Sequence, residues 1–307
     1  MKILVMGSGG VGGYFGGRLA AAGNDVTFVA RGAHLAAMQR DGLMLDSQIG
    51  NAHIKPAKAV SDPKDAGVPD VIMFATKMGD TRGAAEQLRP IVRDGVTIIT
   101  FQNGIEGPST IADCLPGAHV VPGVARIASH ISKPGIIEQH GPFARIEFGE
   151  ANGSKSAKLE AFQAMCKASG IDAILAPDIR RNVWMKFGML APFSGLTTLT
   201  GHRAGELREN PKTRALIEAA VREVIAVARA EGVDLTDDDF KALMKAIDFN
   251  PPAMTSSMSH DRRAGKPLEL NWLSGAVVRL GEKHGIPTPT HRFIADALAI
   301  DAPGRKA

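Results

Sequence analysis

Short β-branched runs alternate with small-residue stretches through the first third of the chain. Ile3–Met6 and Val26–Ala30 are compact apolar runs, with the alanine- and glycine-rich stretch Gly13–Ala22 between them. Val71–Ala75 and Val96–Thr100 repeat the pattern around a segment holding Ala84, Ala85 and Leu88. Short apolar strands alternating with helical segments predict βαβ units and a parallel sheet buried on both faces. From about Val120 to Gly149 the pattern changes to alternating residues with Gly and Pro, as in Ile136–Gln139 and Arg145–Gly149. That predicts antiparallel or mixed strands appended to the sheet. Beyond Asp178 the period becomes helical: Ile217, Val221, Val224 and Ala228 fall at i, i+4, i+7 and i+11, and Leu273, Val277 and Leu280 form a second stripe. Gly232 and Gly285 stand where those helices would end, as left-handed caps. The reading is therefore α/β, a Rossmann-type parallel-sheet domain over 1–178 followed by an all-helical C-terminal domain over 179–307. No internal repeat or low-complexity tract is visible.

The length of 307 residues suits two domains with proper cores. A composition 44% hydrophobic and 22% charged argues against disorder. The formal net charge of +4 is spread among acids without a clustered run, which favours a local anionic ligand over a nucleic-acid surface. Aromatic residues at 5% leave few stacking platforms for single strands. Cys114 and Cys166 lie far apart with no metal-type spacing, so a reducing, cytoplasmic compartment is expected. No run approaches the length of a membrane span.

The strongest motif is Gly7-Ser8-Gly9-Gly10-Val11-Gly12, directly after the first predicted strand. Isolated, GxGxxG means little; between a strand and a small-residue helix it reads as a dinucleotide site. Gly7 permits the tight turn, Gly9 lets a pyrophosphate approach the backbone, and Gly12 lets helix pack on strand. Gly10 and Val11 open the helix, whose free N–H groups favour phosphate. NAD enzymes place Asp or Glu after the second strand; this chain has Val29-Ala30-Arg31-Gly32. An acid would repel a 2′-phosphate, whereas the guanidinium of Arg31 can grip it, so NADP is preferred over NAD. Lys77, just past the strand Val71–Ala75, would emerge at the same sheet edge, although a lysine in a loop is also simply solvated.

Two charges sit on apolar faces. Lys186 shares a helical face with Ile179, Val183 and Leu190, and Glu269 lies one turn before Leu273 and Val277, in a helical first turn after Pro267. Such residues snorkel, pair structurally or line a site. Beside an anionic cofactor the last reading gains weight, because reducing a carbonyl needs a proton donor. Asn103, in Phe101-Gln102-Asn103-Gly104, and Ser256-Ser257 are further polar candidates, with turn chemistry as the plain alternative for Asn-Gly. The nine histidines show no HExxH pattern or close ligand spacing, and no metal site is assigned.

These residues together resemble the ketopantoate reductase (2-dehydropantoate 2-reductase) family of pantothenate biosynthesis. The resemblance runs nearly end to end, through MKILVMGSGGVGG at the start, ATK at 75–77, FQNG at 101–104, RNVWMK at 181–186 and SSMSHDRRAGKPLELNWLSGAVVRLGEKHGIPTPT at 256–290. It implies NADPH as cofactor, a Rossmann-type domain joined to a helical one, and a small-molecule 2-oxo acid as substrate. Lys186 matches the family's catalytic lysine, which protonates the C2 ketone oxygen, and Glu269 matches its partner carboxylate. Asn103 and Ser257 match positions that contact the 2-oxo acid, with Asn103 also facing the cofactor. Arg31 and Lys77 match the basic residues toward the 2′-phosphate.

The match breaks at the acid's tail. The family commonly carries asparagines four and eight residues after its lysine, and another three before its serine; here those positions hold Leu190, Ser194 and Met254. Pro192 would also interrupt the helix nearby. A pocket built to hydrogen-bond a hydroxyl discriminates strongly, and one lined by Leu and Met does not. Three readings follow: reduction of ketopantoate to pantoate, reduction of a more apolar 2-oxo acid by a paralogue, or noncatalytic NADP(H) sensing. The oligomeric state, monomer or homodimer, is open at this level.

Overall fold

The computed structural model describes residues 1–304, and the chain divides into two units, Met1–Gln102 with Gly107–Ile179, and Asn103–Glu106 with Arg180 onward. In the first unit the order is β1 (Lys2–Met6), α1 (Gly10–Ala21), β2 (Asp25–Val29), α2 (Gly32–Asp41), β3 (Leu43–Ser47), β4 (Ala52–Ile54), β5 (Ala59–Val60) and β6 (Val71–Phe74). There follow α3 (Thr81–Leu88), β7 (Thr97–Thr100), α4 (Gly107–Cys114), β8 (His119–Lys133), β9 (Ile136–Phe148), α5 (Ala157–Ala168) and β10 (Asp172–Leu175). The strands form one ten-stranded sheet in the order β4-β3-β9-β8-β7-β6-β1-β2-β5, with β10 added along β9.

The strand β1 shows why the sheet is buried on both faces. Ile3 and Val5 join one core with Tyr14, Phe15 and Leu19 of α1. Leu4 and Met6 point the other way, into a second core with Ala84, Ala85 and Leu88 of α3. A strand with helices on either side carries apolar residues at every position, which is why these runs do not alternate. From β1 the chain winds outward to β2, crosses to the far end of the sheet for β3 and β4, and comes back to β5 beside β2. It then returns to β6 and winds outward to β7 and β8, with β5, β2, β1, β6, β7 and β8 parallel. The winding therefore reverses between β1 and β6, and ligands of such sheets bind at the carboxyl ends of the strands there.

The alternation seen from about Val120 onward becomes the antiparallel pair of β8 and β9. β8 first runs parallel to β7 through Thr97–His119 and Thr100–Pro122 pairs, then turns antiparallel to β9 from Gly123. Several short elements carried no legible period: β3, β4, β5 and β10, and the helices α2 and α5. β5 contributes only two residues at an edge, too few for any periodicity to show.

The second unit holds α6 (Ile179–Thr200), which crosses the unit boundary, then α7 (Ala204–Glu209), α8 (Pro211–Ala230), α9 (Asp237–Phe249), α10 (Ser257–Arg263), α11 (Ser274–His284) and α12 (Pro289–Ala297). The stripe Ile217, Val221, Val224 and Ala228 is buried along α8, against Val277 and Ile294 in the same core. Glu223 is buried on α8, and its carboxylate accepts from the backbone N–H groups of Thr290 and His291 at 2.8 and 3.0 Å, capping the start of α12. Gly285 ends α11 in the left-handed conformation.

Two local expectations are corrected. The helix α6 runs unbroken through Pro192, its flanking turns held by the packing of Phe187, Ala191 and Leu196 in the core. Glu269 does not belong to the first turn of α11. It opens a separate 3₁₀ turn, Glu269–Trp272, and Leu273, at φ −109° and ψ −99°, breaks the backbone before α11 starts.

Candidate active site

At the carboxyl end of β1 the chain makes a turn that only glycine allows. Gly7 has φ +97°, and a Cβ there would lie 2.8 Å from the Thr76 amide nitrogen and 2.9 Å from the Ala75 carbonyl oxygen, directly after β6. Ser8 is buried and its hydroxyl donates to the Val29 carbonyl at 2.8 Å, tying the loop to the end of β2. Gly9 caps α1 without any side-chain hydrogen bond, and no acid stands in the first helical turn. A Cβ on Gly9 would meet no atom within 4 Å, so the approach to these N–H groups is open. Gly10 and Val11 follow in the same turn. An uncapped, acid-free helix start beside an open backbone fits the pyrophosphate of a dinucleotide.

Gly12 closes the geometry from below, as its Cα faces the Gly7 carbonyl and the Val5 side chain. His34, unmarked by any periodicity, braces the loop from α2. The Gly135 N–H donates to its Nδ1 at 3.0 Å, which leaves Nε2–H to donate to the Ser8 carbonyl at 3.0 Å. Burial pushes the His34 imidazolium pKa down, consistent with a neutral ring in that bridge.

Arg31 and Lys77 follow β2 and β6, the two strands that flank β1. Both are exposed. Arg31 is also the N-cap residue of α2, and its Nη2 reaches Gln87 Oε1 at 3.4 Å, a loose contact that leaves the guanidinium available. No carboxylate occupies the end of β2, so nothing there repels a phosphate ester.

The segment Phe101–Gly104 carries the next group. Gln102 is buried, with its amide nitrogen donating to Thr81 Oγ1 at 2.8 Å and to the Thr76 carbonyl at 3.1 Å, while its Oε1 accepts from Thr100 Oγ1 at 3.0 Å. These anchors set the position of the chain where it becomes Asn103. In the second unit Lys186, half-buried on α6, donates from Nζ to Asn103 Oδ1 at 2.8 Å. Gly104, at φ +90°, has its Cα against the Trp272 carbonyl, and Glu106 accepts from Arg279 at 2.7 Å. The short strap Asn103–Glu106 thus joins α6 to the turn that holds Glu269, which is only 7% exposed.

Ser257 is exposed as the first residue of α10, while its neighbour Ser256 is buried and serves as the N-cap, accepting from the Ser259 N–H at 3.1 Å and from Thr197 Oγ1 at 2.9 Å. Leu190 and Ser194 follow Lys186 by one and two turns on α6. Leu190 is half-buried. Ser194 is fully buried, and its Oγ has no hydrogen-bond partner among the described residues. Met254, just ahead of α10, is exposed.

A glycine loop at the reversal point of a doubly wound sheet, with a lysine-bearing helical unit after it in the chain, defines a Rossmann-type oxidoreductase. The family follows from comparison with known proteins. The family model for "Ketopantoate reductase PanE/ApbA" matches residues 3–153, and that for the "Ketopantoate reductase PanE/ApbA C terminal" matches residues 178–300. The chain belongs to the ketopantoate reductase family, whose members are NADPH-dependent reductases of 2-oxo acids. It is 30% identical to the 2-dehydropantoate 2-reductase of Mesorhizobium japonicum, covering 94% of each chain. A PanE/ApbA family ketopantoate reductase from Ralstonia eutropha superposes with a TM-score of 0.90 at 30% identity, covering 98% of each chain. D-mandelate dehydrogenase in complex with NADH and anilino(oxo)acetate has the same fold, with a TM-score of 0.90 at 20% identity and 98% coverage of both chains. Membership sets aside the noncatalytic sensor. No helix among the described residues is long and apolar enough to cross a membrane.

Proposed function

We propose that the protein reduces 2-dehydropantoate (ketopantoate) to pantoate, with Lys186 as general acid and Glu269 as its partner carboxylate. The overall change is 2-oxo acid plus NADPH and a proton to 2-hydroxy acid and NADP⁺. The observation that carries this reading is the 2.8 Å hydrogen bond from Lys186 Nζ to Asn103 Oδ1. An ammonium has three donors, and the bond to Asn103 Oδ1 fixes the position of the Nζ group that would face a ketone oxygen. As negative charge grows on that oxygen, the ammonium stabilises it and hands over a proton. After the transfer the lysine would regain its proton from solvent water, with Glu269 as its partner carboxylate, while Asn103 and Ser257 hold the acid by hydrogen bonds. Gly7, Gly9, Gly10, Val11 and Gly12 would hold the pyrophosphate of NADPH, Arg31 and Lys77 its 2′-phosphate, and Asn103 would also face the cofactor. When bound, NADPH supplies the hydride.

A second reading rests on Leu190 and Met254, which offer no hydrogen bond to a distal hydroxyl. They favour a more apolar 2-oxo acid, a reading with which the fold shared with D-mandelate dehydrogenase in complex with NADH and anilino(oxo)acetate is compatible.

The test is NADPH oxidation by the purified protein across a panel of 2-oxo acids. Clear preference in kcat/KM for ketopantoate supports the first reading; preference for acids lacking the distal hydroxyl supports the second. With the best acid, Lys186→Ala should lower kcat by about 10²–10⁴. A near-normal kcat in that variant would remove the general-acid role.

A further inference from the structure

We propose that the β8–β9 pair carries a binding site for one divalent transition-metal ion of the zinc class, formed by His130, Glu138 and His140. Each offers one ligand atom, and these atoms lie within 4.8 Å of one another. The pairing explains the cluster. His130 stands directly opposite Glu138 in the antiparallel ladder, and His140 lies two residues beyond Glu138, opposite Ala128. Side chains at period two share one face of a strand, so all three project together. The ladder is regular across Ala128–Ile131 and irregular on either side, between Arg126 and Ala128 and between Ile131 and Lys133. The trio occupies the regular stretch.

The intervening residues point the other way. Ile137 and Gln139 are buried, and a Cβ on Gly13 of α1 would lie 2.9 Å from Ile137 Cδ1. The three candidate ligands therefore face away from α1, with both histidines exposed and Glu138 half-buried. Glu138 Oε1 and His140 Nε2 are 3.0 Å apart, and the two imidazoles stack with centroids 5.7 Å apart and planes inclined by 18°.

Two imidazoles and one carboxylate are the donor set of open zinc sites, with water in the fourth position. Bonds of about 2.0–2.2 Å in a tetrahedron place ligand atoms about 3.3 Å apart. The Glu138–His140 pair is already near that distance, and exposed side chains close the remaining gap by small torsional changes. Calcium and magnesium prefer all-oxygen shells, so two nitrogen donors select against them. The site would clamp the strand pair where it backs the glycine loop: a Cβ on Gly10 would lie 2.3 Å from the Ser129 carbonyl oxygen. It does not depend on the substrate assignment above.

The experiment is Zn²⁺ titration of tag-free, chelator-treated full-length protein near neutral pH, followed by calorimetry, with Co²⁺ as a spectroscopic probe of coordination. One equivalent should bind saturably, and excess Mg²⁺ should not displace it. His130→Ala, His140→Ala and Glu138→Gln should each weaken binding at least about ten-fold. His53→Ala, on another strand, should leave it unchanged. These positions are accessible to solvent, and circular dichroism of each variant checks that the fold is retained, with His130→Gln as a milder second substitution. Absence of saturable binding, or binding equally tight in the His130→Ala and His140→Ala proteins, would overturn the proposal.

Discussion

Replacing Gly12 by alanine places a methyl carbon 2.2 Å from the Gly7 carbonyl oxygen, 2.9 Å from Val5 Cγ1 and 3.2 Å from Ala75 Cβ. Ordinary non-bonded contacts sit near 3.5–4.0 Å, so the first overlap exceeds about 1 Å. The atom in the way is backbone, and no rotamer change relieves it; α1 or the glycine loop must move. Overpacking of a close-packed core costs about 1–3 kcal/mol, and this contact belongs at or above the upper end. For a unit of this size about 2–4 °C of Tm is lost per kcal/mol, which gives a fall of roughly 6–12 °C. Gly9 supplies the matched control. Its φ of −78° suits any residue, and a Cβ there meets no atom within 4 Å. Gly9→Ala should cost less than about 1 kcal/mol, the usual price of a weaker helix cap. It should nevertheless weaken NADPH at least about ten-fold, because the methyl group occupies the space through which a pyrophosphate reaches the backbone. Thermal unfolding and NADPH titration by fluorescence, run on both variants, separate the two effects. A wild-type Tm for Gly12→Ala, or wild-type NADPH affinity for Gly9→Ala, would refute this account of the loop.

Removing the guanidinium in Arg31→Ala should raise KM for NADPH far more than for NADH, since the exposed Arg31 makes only a 3.4 Å contact with Gln87 and is available to a 2′-phosphate; equal effects on both cofactors would contradict that contact. Burial pushes the His291 imidazole down to about 4 from its ordinary 6.5. Above pH 6.5 both folded and unfolded states hold it neutral, but as pH falls toward 4 only the unfolded chain gains the proton. Stability from this residue is therefore complete above the upper value and lost on the way to the lower, by about 3 kcal/mol in all. Denaturant unfolding of wild type and His291→Gln across that range should show the flatter slope in the variant, and identical slopes would count against it. Burial likewise pushes the Cys166 thiol up to about 12, so Ellman's reagent should reach it only on unfolding; rapid modification of Cys166 in the folded protein would show that the site opens.

The division between what was legible in the chain and what was not follows from the range of the interactions involved. β1, β2, β6 and β7 announced themselves because strands buried on both faces must be apolar throughout, and the stripe along α8 because one helical face must be. Gly7 and Gly12 could be singled out for the same reason: a positive φ and a close backbone approach leave no substitute. Short edge elements such as β5 obey no such rule, since two residues held by a neighbouring strand need no pattern of their own. Glu269 shows the limit of periodicity, because its spacing from Leu273 and Val277 is helical while Leu273 breaks the helix between them. Pro192 shows the converse, a local breaking signal overridden by core packing along α6.

Chemistry divides along the same line. The amino-acid order alone determined a glycine loop between strand and helix, an arginine in place of an acid after the second strand, and a lysine on an apolar helical face. Each is a constraint between residues within a turn or two of one another. Only the tertiary structure placed Asn103 on Lys186, His34 beneath the glycine loop, and His130 across from Glu138 with His140 on the same face. Asn103 and Lys186 stand 83 positions apart and His34 and Ser8 26, while the histidine–glutamate trio is gathered by strand pairing; such contacts depend on strand register and helix packing, which no local pattern encodes.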